Sequence, residues 1–343
     1  MRIAIFGGGG FIGVNLARHL AGLDGFEPVV YDKVANKLRL RFGAQPMCDF
    51  VACDIVNDPE RLDAAVAEAD VAVNLVAHVL AKHVMDAPLD IVDLNFHGCL
   101  HVVRSCVRHR RRLLHFSTCE VYGKTGGNTE PFSEDTTDSI LGPVANHRWI
   151  YSSAKQLLDR VIHAHGLRGD LEYTIVRPFN FVGPLMDWLG GADDVPRVFA
   201  CFMSALLDGR PLSLVDGGRN RRCFTHIDDA VRALSAILEN AEKTRNQIIN
   251  IGNPNNETTI AALAELMRDI YRTEFDRNAA SEIMSVSGEQ FYGPGYEDCD
   301  RRMPDVTKMA ALGWAPRHDL RTTFELAMRY CMTNLMELKP AAE

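Results

Sequence analysis

The stretch RIAIFGGGGFIGVNLARHL, Arg2 to Leu20, decides the fold. A short apolar run enters a cluster of glycines, and a helical apolar pattern follows at once. That order reads as a buried strand, a tight turn and a helix, with Gly7, Gly10 and Gly13 at the turn. Gly7 permits the sharp reversal, Gly10 lets the backbone approach a pyrophosphate, and Gly13 lets helix and strand pack closely. The helix N-terminus, with Phe11 and Ile12 as its first residues, then faces negative charge. Asp32 ends the next strand, EPVVYDK. A carboxylate there accepts hydrogen bonds from an adenosine ribose and repels a 2′-phosphate, so the expected cofactor is NAD rather than NADP.

Outward from this turn the first half alternates strands and helices. DFVACDI, VAVNLVA, RLLHFST and EYTIVRPFN read as strands. DPERLDAAVAEA, a long segment from about Pro88 to Arg108, and the segment holding Tyr151 read as helices. Such alternation predicts an α/β protein: a Rossmann-like, doubly wound parallel sheet with helices on both faces. After Asn180 the pattern changes. RVFACFMSALLDG, RCFTHIDDAVRALSAILEN and TTIAALAELMRDIY read as helical, with PLSLVDGG and QIINIGNP as strands. A smaller, interleaved C-terminal substrate domain is expected. The division is 1–178 plus about 223–250 for the dinucleotide, 179–222 and 251–333 for a substrate, and a loose tail over 334–343.

Composition bounds the function. Apolar residues make up 47% and charged residues 24%, as in a globular protein. A net charge of −8 argues against nucleic acid as a partner. The one basic run, VRHRRRLL, reads as the solvated end of a helix before a strand. No apolar stretch is long enough to cross a membrane, and the apolar run before Gly7 is too short for a signal-peptide core. The nine cysteines are scattered, without a C-x-x-C pair or zinc spacing. A reduced, cytoplasmic protein without a metal site is expected.

The chemistry is carried by RWIYSSAKQLLDR, Arg148 to Arg160, where Tyr151 and Lys155 stand one helical turn apart. A phenol ordinarily titrates near ~10 and is a poor base at neutral pH. A neighbouring ammonium is expected to stabilise the phenolate and to reach the nicotinamide ribose. Thr118, just past the strand in HFSTCEVYG, supplies a hydroxyl to position a substrate oxygen at the carboxyl edge of the sheet. Asp54 and Ile55, in CDI, stand where they can meet the adenine amino group and ring.

These residues resemble the extended short-chain dehydrogenase/reductase family, in its nucleotide-sugar branch. The likeness rests on GGGGFIG, Asp32, CDI, NLVA, STCEVYG, YSSAK and RPFN, and it spans nearly the whole chain. It implies that Tyr151 is the catalytic acid/base, Lys155 its partner and Thr118 a substrate ligand, with Leu75 and Ala77 beside NAD. Longer stretches, STCEVYGK, RWIYSSAKQLLDR, TIVRPFNFVGP, VPRVFACF, IGNPNNETT and FYGPGYEDCDRRMPD, resemble NAD-dependent UDP-glucuronate decarboxylases. Two groups are similar: the decarboxylase domain of the bifunctional polymyxin-resistance enzyme, and the plant UDP-apiose/UDP-xylose synthases. The resemblance implies that Arg302 faces the sugar carboxylate, with Glu120 beside it. Asn180 and Arg222 would contact the phosphates, PLSLVDGG the uracil, and Tyr296 the nucleotide side. A plain salt bridge from Arg302 to Asp298 or Asp300 is the bland reading of that arginine.

Cys119 and Glu120 occupy positions where hexose 4,6-dehydratases carry Asp-Glu. A thiol replaces that acid poorly, so dehydration is disfavoured. In HVLAKHV, His78 to Val84, the chain departs from both similar groups. Val84 stands where they carry a sugar-facing tyrosine, and Val79 where the apiose-forming enzymes carry a cysteine. UDP-xylose or a UDP-4-keto-pentose is therefore expected rather than apiose. His78 and Lys82 either take over sugar contacts or are ordinary loop residues. The expectation is a decarboxylase of UDP-glucuronate or a close uronic acid. Its alternatives are a UDP-uronate 4-epimerase and a non-catalytic NAD-binding regulator. Apolar stripes at Ile91, Leu94 and Val102 and at Leu157, Leu158, Val161 and Ile162 suggest, by analogy, a four-helix homodimer interface.

Overall fold

The computed structural model describes residues 1–42, 48–189, 197–277 and 281–338. Six strands arise before residue 180: β1 (Arg2–Phe6), β2 (Glu27–Asp32), β3 (Asp49–Ala52), β4 (Val71–Asn74), β5 (Arg112–Phe116) and β6 (Tyr173–Pro178). Eight more follow among the described residues: β7 (Phe181–Val182), β8 (Leu212–Val215), β9 (Arg221–Cys223), β10 (Thr225–His226), β11 (Gln247–Ile251), β12 (Glu257–Thr259), β13 (Ile283–Val286) and β14 (Arg301–Arg302). The main sheet runs β11-β6-β5-β4-β1-β2-β3 and all its pairings are parallel.

Alternation along β1 shows why the sheet is covered twice. Ile3 and Ile5 enter one core cluster with Val73 and Leu114. Ala4 and Phe6 enter the other with Ala72 and Leu113. Side chains of period two thus feed apolar layers on both faces, which a parallel sheet requires. Strand order reverses between β4 and β1, so the crevice for a ligand opens beyond their carboxyl ends. The glycine turn leaves β1 there, and Leu75–Ala77 leave β4 beside it.

Among the described residues three small sheets lie beyond the main one: β10 with β7, β13 with β8, and β12-β9-β14. In the last, β14 pairs in parallel with β9, placing Arg302 opposite Arg222 and Arg301 opposite Arg221. Pleat alternation then separates two layers. Arg221 and Arg301 both bind Glu257, while Arg222 and Arg302 turn to the other side.

Several local expectations need correction. RCFTHIDD opens as the strands β9 and β10, and the helix begins only at Ile227. β-branched and aromatic residues bracketed by two sheets outweigh the helical period here. The long helix after Pro88 is interrupted by a π-helical turn, Asp93–Gly98. Inside it Asn95 accepts from His78 N at 2.8 Å and donates to His78 O at 2.9 Å, pinning the loop after β4. That loop holds an unexpected short helix, Ala81–Asp86. Within the expected loose tail, Leu335–Leu338 form a short helix, and Leu338 is buried and accepts a hydrogen bond from Leu189 N at 2.9 Å. Residues 339–343 lie outside the described residues, as do Val195 and Pro196 of the VPRVFACF stretch. The basic run behaves as a helix end before a strand: helix Cys99–His109 stops, and β5 starts at Arg112.

Candidate active site

The glycine turn fits a dinucleotide. Gly7 has φ +75°, and a Cβ there would stand 2.9 Å from Val76 N. A Cβ on Gly13 would stand 2.4 Å from Gly8 Cα, so helix and turn touch backbone to backbone. Gly10 caps the helix Phe11–Ala21 without any side-chain hydrogen bond, which leaves first-turn N–H groups for an anion. Asp32 accepts from Gly9 N at 2.9 Å on one oxygen and from Lys33 N at 2.7 Å on the other. Val34 N adds a long contact of 3.5 Å to the second oxygen, so the first is the one that keeps a lone pair for a ribose hydroxyl. Burial raises the Asp32 carboxyl, against the lowering effect of the Gly9 and Lys33 N–H groups. These features fit the adenosine diphosphate half of NAD.

Other expected cofactor contacts are placed as follows. Leu75 and Ala77 leave β4 at the crevice, with Leu75 N bonded to Phe6 O at 2.9 Å. Asp54 is engaged by Val56 N at 2.9 Å and Asn57 Nδ2 at 2.8 Å, and Ile55 is packed in the second core cluster. Phe11 is buried under the Arg197 guanidinium, 5.5 Å from its ring centre, whereas Ile12 is half-buried.

The helix Ile150–Arg168 brings Tyr151 and Lys155 to the end of β5. Lys155 Nζ donates to Phe116 O at 2.8 Å. The Thr118 hydroxyl accepts from Glu120 N at 3.2 Å and hydrogen-bonds the Tyr151 phenol. Tyr151, Lys155 and Thr118 thus converge. The expected lowering of the phenol is not found, however. Burial pushes Tyr151 well above its usual range, and the Glu120 carboxylate adds to the rise against Thr118 and Arg148. Burial likewise lowers the Lys155 ammonium, against Cys99 and Asp159. A dry pocket disfavours both charged forms together.

Glu120 heads a chain of alternating charges. Arg148 Nη2 meets Glu120 Oε2 at 2.6 Å, and Arg302 Nη1 meets Oε1 at 3.2 Å. Arg302 also pairs with Asp298, whose other oxygen binds Arg222 Nη2 at 2.6 Å. Arg148, Arg222 and Arg302 are only 5%, 5% and 6% exposed. The Asp298 bridge is the bland reading of Arg302, yet burial and the second partner Glu120 exclude a surface role. Burial opposes ionisation of both carboxyls. The guanidiniums overcome it, with Arg148 and Arg302 holding Glu120 low, and Arg222 and Arg302 holding Asp298 far below the usual range. Three guanidiniums face two carboxylates, and Arg148 Nε, Arg148 Nη1 and Arg302 Nε are buried without partners. The site therefore presents spare donors and one spare positive charge to an anion. Arg148 also lies 5.8 Å from the Tyr151 ring centre, which ties this chain to the phenol.

Sequence reasoning missed Arg148, although it stands three residues before Tyr151, at helical spacing. Cys119 is buried, and its thiol is pushed up to about 11, chiefly by burial against Arg302, so it is neutral at ordinary pH. Tyr296 stacks on Tyr292 with ring centres 4.3 Å apart and donates to Asp298 at 3.4 Å. The DGG turn of PLSLVDGG reaches the same wall, where Asp216 accepts from Gly288 N at 2.9 Å. Asn180 (φ +41°) donates from Nδ2 to Cys223 O at 3.0 Å, anchoring β9 to the end of β6.

Of the departing loop, Lys82 pairs with Asp86 one turn along its own helix. Val84 is fully buried against Ile91 and Tyr151. His78 lies 4.5 Å from the His83 ring. Among the described residues, His226, Asp228 and His318 bring possible metal-ligand atoms within 4.8 Å of one another. His226 Nδ1 already accepts Asp228 N at 3.2 Å, at a helix N-terminus that disfavours a cation. Ile91, Val102, Leu158 and Ile162 of the apolar stripes face the core, whereas Leu89 and Leu157 remain exposed.

The sequence pattern of the NAD dependent epimerase/dehydratase family matches residues 3–252. A UDP-D-apiose/UDP-D-xylose synthase of Oryza sativa subsp. japonica is 40% identical over 354 residues, covering 96% of this chain and 89% of the relative. UDP-D-apiose/UDP-D-xylose synthase 2 of Arabidopsis thaliana is 38% identical over 361 residues, covering 98% and 92%. Among solved structures, the PbgP3 protein of Burkholderia pseudomallei superposes with a TM-score of 0.86 at 30% identity, covering 100% of this chain and 99% of its own.

Proposed function

The chain belongs to the NAD-dependent epimerase/dehydratase family, and from that premise we propose that it decarboxylates UDP-glucuronate or a close uronic acid, yielding UDP-xylose or a UDP-4-keto-pentose. The observation that carries this reading is the buried pair of guanidiniums, Arg148 and Arg302, meeting at Glu120 beside Tyr151. A neutral sugar has no use for such a charge, whereas a carboxylate fits it.

When bound, NAD supplies a two-electron acceptor for the hydride on C4 of the sugar. Tyr151 takes the C4 hydroxyl proton, with Thr118 orienting that oxygen and Lys155 compensating the phenolate. Arg302 and Arg148 hold the C6 carboxylate. Once C4 is a carbonyl, that carboxylate belongs to a β-keto acid. The C5–C6 bond breaks, its electrons pass to the carbonyl, and carbon dioxide leaves. A proton returns to C5 from Arg302, Glu120 or a water they orient, giving the UDP-4-keto-pentose; UDP-xylose requires in addition that the hydride come back to C4 while Tyr151 returns its proton to the C4 oxygen. Arg222 and Asn180 hold the diphosphate, and Tyr296 and the DGG turn the nucleotide. In this reading residues 1–178 and about 223–250 bind the dinucleotide, and 179–222 and 251–333 the nucleotide sugar. The exposed Leu89 and Leu157 support a homodimer through the Tyr151 helix. No described helix is long and apolar enough to cross a membrane, which supports a cytoplasmic site of action.

The test is incubation of the purified protein with NAD and UDP-glucuronate, followed by mass spectrometry of the nucleotide sugar. Carbon dioxide release with a UDP-pentose or UDP-4-keto-pentose is expected. Recovery of a C4 epimer with its carboxylate intact refutes decarboxylation and selects the epimerase.

A further inference from the structure

Beneath Tyr151 and Lys155 lies a buried carboxylate that the proposed reaction leaves unassigned. We propose that Asp159 is a positioning residue for that pair: it ties the end of β5 to the Tyr151 helix and supplies the anion that faces Lys155. The role rests on the catalytic reading of Tyr151 and Lys155 given above.

Tyr151, Lys155 and Asp159 follow one another at four-residue spacing, so they share one face of the helix. Asp159 is only 3% exposed. Its Oδ2 accepts from Ser117 Oγ at 2.9 Å and from Arg177 Nη2 at 3.1 Å. Its Oδ1 is buried without a hydrogen-bond partner. Ser117 sits between the two residues that touch the catalytic pair. The Phe116 carbonyl receives the Lys155 ammonium, and the Thr118 hydroxyl bonds the Tyr151 phenol. One carboxylate thus fixes the short peptide on which both members depend.

The charges around Lys155 assign the second half of the role. Its own helix presents Tyr151 and Asp159. The helix Cys99–His109 presents Cys99, β5 presents His115, and Arg177 of β6 stands behind Asp159. Burial raises the Cys99 thiol, and burial with Lys155 holds His115 well below its usual range, so both are neutral at ordinary pH. Among these groups Asp159 is the carboxylate set against the burial of Lys155; burial raises its own carboxyl as well, and Arg177, Ser117 and Lys155 oppose that rise. Arg177 is partly occupied elsewhere, 4.7 Å from the Tyr122 ring centre. Lys155, Arg177 and Asp159 together leave one positive charge, which phenolate formation at Tyr151 neutralises.

Asp159→Asn keeps an oxygen for Ser117 and removes the charge. A unit charge one helical turn away, at an effective dielectric near ~20, corresponds to a shift of about one to two pH units. The alkaline limb of the kcat–pH profile is therefore expected to fall by about that amount, with KM unchanged. Ser117→Ala removes the tether but keeps the charge, so it is expected to lower kcat without moving the limb. A readout independent of substrate is ultraviolet difference titration of the NAD-loaded protein against its Tyr151→Phe variant. In Asp159→Asn the Tyr151 step should move to lower pH, because a negative charge is gone from its helix face while Lys155, already held low by burial, loses its proton before the phenol in either protein. A Tyr151 step that stays or moves up, or a limb that does not move down, overturns the assignment. If the Asn variant does not fold, Asp159→Glu must leave both the limb and the step in place. A Glu variant that shifts either one overturns it equally. If no uronate nucleotide is turned over, the decarboxylase reading fails, while the titration still decides the role of Asp159.

Discussion

Replacing Glu120 by glutamine removes one carboxylate from between two buried guanidiniums. Arg148 loses a 2.6 Å partner and Arg302 a 3.2 Å partner, and both are almost wholly buried. Breaking a buried pair costs about 3–5 kcal/mol, because the surviving charge is stranded. Glutamine still offers one acceptor oxygen, so the low end, about 3 kcal/mol, applies. For a chain of 343 residues unfolding as one unit this is a fall in Tm of about 4 °C. The effect has a definite pH dependence. Arg148 and Arg302, against opposing burial, hold the Glu120 carboxyl below its ordinary value of 4.5. A depressed folded value means the stabilisation is present in full above pH ~4.5 and is lost as pH falls through that value. Thermal melts of both proteins from neutral to acid pH should therefore show a gap that closes toward the acid end. UDP-glucuronate should raise the variant's Tm more than UDP-glucose does, since its carboxylate replaces the missing charge. Equal melting at neutral pH, or a gap indifferent to pH, refutes the account of a self-compensated charge chain.

Three further substitutions probe separate parts of the site. Arg302→Met removes charge-assisted hydrogen bonds worth about 1.5–3 kcal/mol, so calorimetry should show UDP-glucuronate binding weakened about 10–100-fold with UDP-glucose unaffected. Gly13→Ala places a Cβ 2.4 Å from Gly8 Cα, backbone that cannot swing aside; about 1–3 kcal/mol of stability and most NAD binding should be lost, read by thermal melts and cofactor fluorescence. Tyr151→Phe should cut carbon dioxide release by about 10²–10⁴-fold while leaving Tm and NAD affinity in place, which separates proton transfer from packing.

What the sequence made legible was local. Gly7, Gly10, Gly13 and Asp32 announce themselves because one turn and one strand end fix them all, and the parallel sheet follows from the alternation around them. Tyr151 and Lys155 are legible for the same reason, since four residues of helix place them together. Arg148 obeys that spacing too, but an arginine three residues before a tyrosine has many bland uses, and its partner Glu120 lies on another element. The short strands β9 and β14 were invisible. Two or three residues carry no period, and only tertiary pairing shows that Arg222 and Arg302 stand side by side.

Burial first, and then the Glu120 carboxylate, make the phenol harder to ionise than its neighbouring lysine suggests. A site that recognises a carboxylate needs buried guanidiniums, and buried guanidiniums need anions to remain folded before any ligand arrives. Glu120 and Asp298 fill that need, but Glu120 then raises the Tyr151 phenol that must later lose its proton. In the proposed reaction the conflict would be eased by Lys155, held at Phe116 O, and by a substrate carboxylate drawing Arg148 and Arg302 toward itself. An epimerase of neutral sugars has no reason to carry this conflict. Its presence here, built from residues that local pattern alone could not assemble, is what favours a carboxylate-bearing sugar as the substrate of the site.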